Sequence, residues 1–177
     1  MLKRCTALFC CLFCILCAGC SSVRDAATDY GALARETLAK NYSFKAHIAW
    51  EDMTADADLA KSSPTDIQVD FTAPETLEGL SAVFSESQVK VFYRGMEMDL
   101  GEYDIPAQSI LPVLWELLSA DSSLSLTAEA GEETVTAKGS LYVTAFEITF
   151  EKETMKIQNI SIPDLGAQVT VTEFEFL

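Results

Sequence analysis

Short stretches in which apolar and polar side chains alternate recur along most of this chain, and they constrain its fold more than any other feature. The first covers residues 42–50, where Tyr42, Phe44, Ala46, Ile48 and Trp50 alternate with Ser43, Lys45, His47 and Ala49. A period of two residues is typical of strands with one buried face. Similar patterns predict strands over residues 66–71, 77–84, 88–94, 96–100, 124–129, 134–138, 141–150, 155–162 and 168–176. Turn residues between them indicate antiparallel hairpins.

Two segments depart from this pattern and predict helices. Residues 26–40 are rich in Ala, Leu, Arg and Glu, which favour a helix. Residues 109–119 are apolar on nearly every side, with Glu116 as the one charged position, so this helix must be buried. The apolar phase slips within residues 141–150, as expected for bulges that curl a sheet or for a sheet covered on both faces. We therefore predict a mainly β (α+β) domain over residues 26–177, a strongly bent antiparallel sheet wrapped around a helix.

This pattern resembles the LolA/LolB-like lipoprotein carriers and the related mycobacterial lipid-binding lipoproteins. The resemblance is carried by the strand at 42–50, the run at 71–80, the hairpin at 89–96 and the apolar helix around Trp115. It implies an open half-barrel covered by an N-terminal helix and a central apolar helix, and a role in lipid binding. No ligand-binding residue of that family can be transferred to this chain by identity.

The N-terminal segment predicts export and lipidation. Lys3 and Arg4 precede a continuous apolar run, and residues 1–19 have the three-part pattern of a signal peptide. The apolar run is too short to span a bilayer. Residues 17–20, Cys-Ala-Gly-Cys, resemble the bacterial lipobox, which implies a lipid-modified Cys20 followed by a short tether over residues 20–25. We therefore predict a protein anchored by lipid at the extracytoplasmic face of the cell membrane, or at an outer membrane if the host has one.

Composition excludes several classes of function. All six cysteines lie within the first twenty residues, so neither a disulfide framework nor a zinc cluster is available to the folded domain. After residue 20 the chain carries ten basic and 27 acidic side chains, and this negative charge repels nucleic acid.

No catalytic residue, metal site or cofactor is predicted. His47, the only histidine, is expected at the surface without a paired acid. Two groups of acids, Asp52, Asp56 and Asp58 in a predicted loop and Asp99, Glu102 and Asp104 further on, lack the glycine and distal glutamate of a calcium loop. No nucleophile elbow, phosphate loop or dinucleotide fingerprint occurs, so the chain is expected not to be an enzyme.

A set of large apolar side chains could line a ligand cavity between the sheet and the central helix. These residues are Phe44, Ile48, Trp50, Val91, Tyr93, Met96, Met98, Leu111, Leu114, Trp115 and Leu118. Close packing of the same side chains as a solid core is the alternative. The first interpretation predicts a non-catalytic protein that binds or carries a lipid or other hydrophobic ligand. The second predicts a cell-envelope module that binds another protein, without a ligand.

Overall fold

The computed structural model describes residues 28–85, 88–98, 110–119, 124–141 and 143–177. The strands within these ranges are β1 (Tyr42–Trp50), β2 (Met53–Lys61), β3 (Ile67–Ala73), β4 (Leu80–Ser85), β5 (Gln88–Tyr93), β6 (Met96–Met98), β7 (Thr127–Ala130), β8 (Thr134–Leu141), β9 (Thr144–Glu151), β10 (Ile157–Ile162) and β11 (Ala167–Phe176). They form one antiparallel sheet in the order β6-β5-β4-β3-β2-β1-β11-β10-β9-β8-β7. The sheet does not close, because its edges β6 and β7 are not paired with each other.

Two helices among the described residues cover one face of this sheet. Helix α1 (Tyr30–Ala39) begins at Asp29, whose carboxylate accepts a hydrogen bond from the backbone N–H of Ala32 at 2.9 Å. Helix α2 is the apolar segment Ile110–Leu118. We call the covered side of the sheet the inner face and the other side the outer face. The predicted open half-barrel covered by an N-terminal and a central apolar helix is confirmed.

The core lies between the inner face and the helices. Inward and outward residues alternate along the long strands, and most of the inward residues are buried, as the alternation predicts. The buried inner-face residues include Tyr42, Phe44, Ile48, Leu59, Ile67, Val69, Phe84, Phe146, Ile148, Phe150, Ile160 and Val169, together with Leu114, Leu117 and Leu118 of α2. The core therefore runs across both halves of the sheet, which meet where β1 pairs with β11.

The sequence-based interpretation missed strand β2, which occupies part of the segment predicted as an acidic loop. Asp56 and Asp58 lie in this strand and pair with His47 and Lys45 of β1. The strand was missed because its inward positions include Ala55 and Ala57, whose small side chains give a weak apolar signal.

Register shifts of the kind predicted for a curled sheet do occur, between Lys45 and Ala46, between Asp56 and Ala57 and between Ile157 and Asn159. The slip in apolar phase within residues 141–150 has a different cause. Leu141 ends β8 and pairs with Thr144, which begins β9, and Val143 lies in a turn between them and is 94% exposed. The phase of the apolar residues changes there because the chain reverses direction.

Several predictions fall outside the described residues. They are the signal peptide at 1–19, the lipidated Cys20, the tether at 20–25 and the acidic group Asp99, Glu102 and Asp104. Within the described parts of the chain, neither helix is long and apolar enough to cross a membrane.

Candidate ligand-binding cavity

An apolar cavity of about 320 Å³ lies between the first turn of α2 and strands β1–β5. It is located toward the end of the sheet where β1 turns into β2. Its lining residues are Ile48, Trp50, Met53, Thr54, Ala55, Phe71, Leu77, Leu80, Ala82, Val91, Ile110 and Leu111. The volume falls at the lower end of the range of roughly 300–1,000 Å³ that ligand pockets occupy.

The strand register explains why this cavity is apolar and why it is empty of side chains. Ala82 of β4 pairs with Val69 of β3 and Val91 of β5, so a small residue stands between larger neighbours on the inner face. Ala55 of β2 likewise pairs with Ile48. The small side chains of Ala55 in β2 and Ala82 in β4 leave a space in the wall, and the N-terminal end of α2 does not fill it. The cavity is consequently bounded by hydrocarbon on almost every side.

The C-terminal end of α2 is held to the sheet by a buried lysine. Lys61, the last residue of β2, is 1% exposed, and its Nζ donates hydrogen bonds to the carbonyl oxygens of Leu38 at 2.5 Å and Leu118 at 2.7 Å. These carbonyls lie in the last turns of α1 and α2, where helices leave carbonyl groups without partners and carry partial negative charge. The Nζ also lies 5.6 Å from the centre of the Tyr42 ring. One ammonium group thus joins both helices to the inner face.

Trp115 fixes the middle of α2. Its ring stacks on Phe84 with the ring centres 6.0 Å apart, and its indole Nε1 donates a 3.3 Å hydrogen bond to the carbonyl oxygen of Thr65. The contacts of Trp115 and Lys61 hold the middle and the C-terminal end of the helix. Ile110 and Leu111, at its other end, face the cavity.

The structure divides the predicted ligand-binding residues into three groups. Four of them line the cavity: Ile48, Trp50, Val91 and Leu111. Phe44, Leu114 and Leu118 are buried in the core, and Trp115 packs on Phe84. Tyr93, Met96 and Met98 lie on the inner side of the edge hairpin β5–β6 and are 36%, 69% and 44% exposed.

Sequence reasoning missed the remaining cavity residues for identifiable reasons. Met53, Thr54 and Ala55 belong to the unrecognised strand β2. Phe71, Leu80 and Ala82 lie on predicted strands, but the alternation does not tell which inward residues meet a helix and which face a space. Leu77 lies in the turn before β4, and only the folded sheet brings it to the cavity that Leu111 also lines.

The outer face is polar. His47 and Asp56 face each other across β1 and β2, with Nδ1 and Oδ1 2.7 Å apart. The expectation that His47 has no paired acid was therefore wrong, because Asp56 belongs to the strand that the sequence-based interpretation missed. Both side chains are about half exposed, and a surface pair of this kind contributes little stability. Within the described ranges, no three side chains of the metal-binding types come close enough to hold an ion.

The outer face also has an open depression of about 570 Å³ that differs chemically from the cavity. Its charged lining residues are Lys45, Asp58, Asp70, Lys156, Glu173 and Glu175, and Ser43, Phe44, Leu59, Ala60 and Phe174 complete the lining. Lys45 and Glu173 form an ion pair with Nζ and Oε2 2.9 Å apart, and this hydrogen bond and charge raise the pKa of Lys45. A surface of alternating charges is unsuited to an apolar ligand, so the inner cavity is the better candidate site.

Comparison with known proteins gives information on the fold. No protein-family model and no curated protein matches this chain. Among solved structures, it is similar to an uncharacterized conserved protein from Thermus thermophilus, with a TM-score of 0.51 and 15% identity over 81% of this chain and 83% of that one.

Two further solved structures are similar at lower scores. A LolA superfamily protein from Nitrosomonas europaea has a TM-score of 0.44 and 7% identity, over 84% of this chain and 92% of that one. A putative outer membrane lipoprotein-sorting protein domain from Vibrio parahaemolyticus has a TM-score of 0.43 and 8% identity, over 83% and 91%.

The open antiparallel sheet with two helices on its inner face is the architecture that the resemblance in sequence implied. The fold is shared with the Thermus thermophilus protein, at a TM-score of 0.51. The expected fold is thus confirmed, whereas the ligand has to be argued from the cavity itself, because identities this low inform on fold alone.

Proposed function

We propose that this chain is a lipid-anchored extracytoplasmic protein that binds or carries a lipid or other hydrophobic ligand, without catalysing a reaction. The apolar cavity beneath α2 is the observation that supports this function best. It lies where a helix covers the inner face of an open sheet. Spaces of this kind between sheet and helices are common ligand sites.

The chemistry of the wall defines the part of the ligand that the cavity would accept. Burying a hydroxyl or amide group without a hydrogen bond costs roughly 2–7 kcal/mol. The surface of the cavity is almost entirely apolar, formed mainly by hydrocarbon and aromatic groups and by the sulfur of Met53. An acyl chain or similar hydrocarbon would therefore enter, and a polar headgroup would stay outside. The volume of about 320 Å³ suits part of one chain rather than a whole lipid.

A pair of substitutions on adjacent residues of β4 tests ligand binding. Ala82→Phe places a ring in the cavity, whereas Val83→Phe adds the same ring on the outer face. We expect residues 21–177 to take up one long-chain fatty acid, seen by native mass spectrometry, and Ala82→Phe to weaken uptake at least about tenfold, equal to 1.4 kcal/mol. Val83→Phe is expected to bind normally, and circular dichroism checks that both variants fold.

The opposite result favours the alternative function. If the unsubstituted chain and Ala82→Phe are equally empty after incubation with fatty acid, the space does not serve a lipid ligand. A module that binds another protein through its surface would then be the better interpretation.

The lipid anchor is tested separately at Cys20. Diacylglycerol attached to this thiol, with acylation of the new amine, supplies more than one hydrocarbon chain, which stable anchoring requires. We expect Cys20→Ser to move the protein from the membrane fraction to the soluble extracytoplasmic fraction, with loss of labelling by radioactive palmitate. If the variant stays firmly in the membrane fraction, anchoring through Cys20 is wrong.

A further inference from the structure

Two hairpin tips at one end of the sheet carry exposed apolar side chains. The first joins β1 to β2, where Trp50 is partly exposed and Met53 is 56% exposed. The second joins β5 to β6, where Tyr93 is 36% and Met96 is 69% exposed. We call these four residues the apolar rim. Contiguous exposed apolar surface marks an interaction site.

The apolar rim borders the cavity. Trp50 pairs with Met53 and Tyr93 pairs with Met96, and each pair lies on the inner face beside its turn. Trp50 and Met53 also line the cavity, and Tyr93 pairs with the lining residue Leu80. Apolar surface therefore continues from the cavity wall to the exposed hairpin tips.

We propose that the apolar rim inserts into the interfacial region of a lipid bilayer, so that the cavity opens directly onto the membrane. The proposal rests on the proposed function, since the lipid anchor would hold the domain at that bilayer. Trp and Tyr are the side chains that prefer the boundary between headgroups and hydrocarbon. Arg94, which follows Tyr93 in the turn, is exposed, and its guanidinium carbon lies 5.3 Å from the centre of the Tyr93 ring. Arginine in this position can reach a lipid phosphate.

The path of the chain supports this orientation. Helix α1 begins beside Leu126, whose carbonyl oxygen lies 3.3 Å from the position of a Cβ on Gly31. Leu126 precedes β7, near the end of β8 that turns into β9. Across the sheet, β1 pairs with β11, β11 with β10 and β10 with β9. The turn between β8 and β9 therefore lies at the same end of the sheet as Trp50. The eight residues from Cys20 to Thr28 span at most about 29 Å, so the anchor and the apolar rim can reach one membrane.

Charge decides which lipid surface the apolar rim would prefer. Glu51, Asp52, Glu75 and Glu78 are exposed in turns at the same end of the sheet. Among the described residues at this end, these four carboxylates together with Asp29 and Asp164 outnumber the cations Arg35 and Arg94, so anionic headgroups would repel this end of the domain. The apolar rim is therefore suited to a zwitterionic surface such as phosphatidylcholine, and anionic lipid should weaken its insertion.

A fluorophore at the apolar rim tests the proposal in the full lipidated protein. Met96→Cys supplies a single reactive thiol, because a lipidated Cys20 has none free and the rest of the mature chain lacks cysteine. Glu132→Cys, exposed in the turn between β7 and β8 at the opposite end of the sheet, is the matched control. Both are labelled with the environment-sensitive dye NBD and reconstituted in vesicles of ordinary or brominated phosphatidylcholine.

We expect brominated lipid to quench the label at residue 96 about twofold and the label at residue 132 hardly at all, since bromine on the acyl chains quenches only dyes at membrane depth. Quenching should persist when Ala82→Phe fills the cavity, and it should decrease in an equimolar mixture with phosphatidylglycerol. A Met53→Ser and Tyr93→Ser double substitution should reduce it as well.

Each other outcome overturns the insertion of the apolar rim. Equal quenching at both positions shows contact without orientation, and quenching that disappears with Ala82→Phe shows that the dye reports ligand uptake. If the dye at residue 96 is unquenched in vesicles but changes its emission in native membranes, the apolar rim binds a protein. Fatty-acid uptake by the unlabelled chain shows independently whether the proposed ligand binding still holds.

Discussion

Replacing Gly139 by alanine is expected to lower the free energy of unfolding by about 3 kcal/mol, because there is no space for a methyl group at this position. A Cβ on Gly139 would lie 2.6 Å from Cζ of Phe146, 3.0 Å from Cδ2 of Leu126 and 3.0 Å from the carbonyl oxygen of Ser125. Phe146 pairs with Gly139 across β8 and β9, and its ring is 1% exposed. The ring cannot move aside without disturbing the core, so the substitution has to shift the backbone.

Gly131→Ala is the matched control in the turn before β8. A Cβ there meets its nearest neighbours at 3.5 Å, which is an ordinary contact distance. We expect a change within about 0.5 kcal/mol, as for most surface substitutions. Urea denaturation followed by circular dichroism measures both variants. Equal stabilities for the two would mean that the Phe146 ring does not lie over Gly139 in solution.

Lys61→Met is expected to cost about 2 kcal/mol of stability, since each buried carbonyl that loses its partner costs about 1–3 kcal/mol. The substitution leaves the carbonyl oxygens of Leu38 and Leu118 without the hydrogen bonds that Nζ donates to them. The substitution also removes the cost of burying an ammonium group, and this offsets part of the lost stability. Lys138→Met, which breaks a surface pair with Glu147, is expected to change stability by less than about 0.5 kcal/mol.

The pH dependence of unfolding provides a second readout for Lys61. Burial lowers the pKa of Lys61 to about 8, from an ordinary value of 10.5. Between these two pH values the Lys61 side chain keeps its proton in the unfolded chain and has released it in the folded chain. The contribution of Lys61 to the free energy of unfolding therefore increases as the pH rises from 8 toward 10. Urea titrations at several pH values should show this increase in the unsubstituted protein and lack it in Lys61→Met. A parallel pH dependence in both would contradict the burial of the ammonium group.

At still higher pH, Tyr42 acts in the opposite direction. Burial raises the pKa of its hydroxyl above the ordinary value of 10. Above pH 10 the unfolded chain therefore loses this proton more readily than the folded chain, and stability falls. The increase in stability that Lys61 causes should therefore be measured below pH 10.

Individual strands were predictable because alternation is a local property of the chain. The strand at Tyr42–Trp50 was predicted with its observed bounds, and the apolar segment around Trp115 is helix α2, which is buried on one side only, at Ile110, Leu114, Leu117 and Leu118. Strand β2 was not predicted, because alanines at inward positions give little contrast with their neighbours. This omission hid the partner of His47 and also Lys61, whose contacts join residues 23 and 57 positions apart.

The sequence by itself determined the antiparallel β architecture, the two helices and the polar outer face, because each depends on the order of apolar and polar residues along a few turns or strands. The tertiary structure decided that Ile48, Trp50, Val91 and Leu111 border a space while Phe44, Leu114 and Leu118 fill the core. The same alternation is compatible with either outcome. Whether an inward side chain meets a helix depends on where the sheet curves and where α2 ends, and contacts between residues distant in sequence set both.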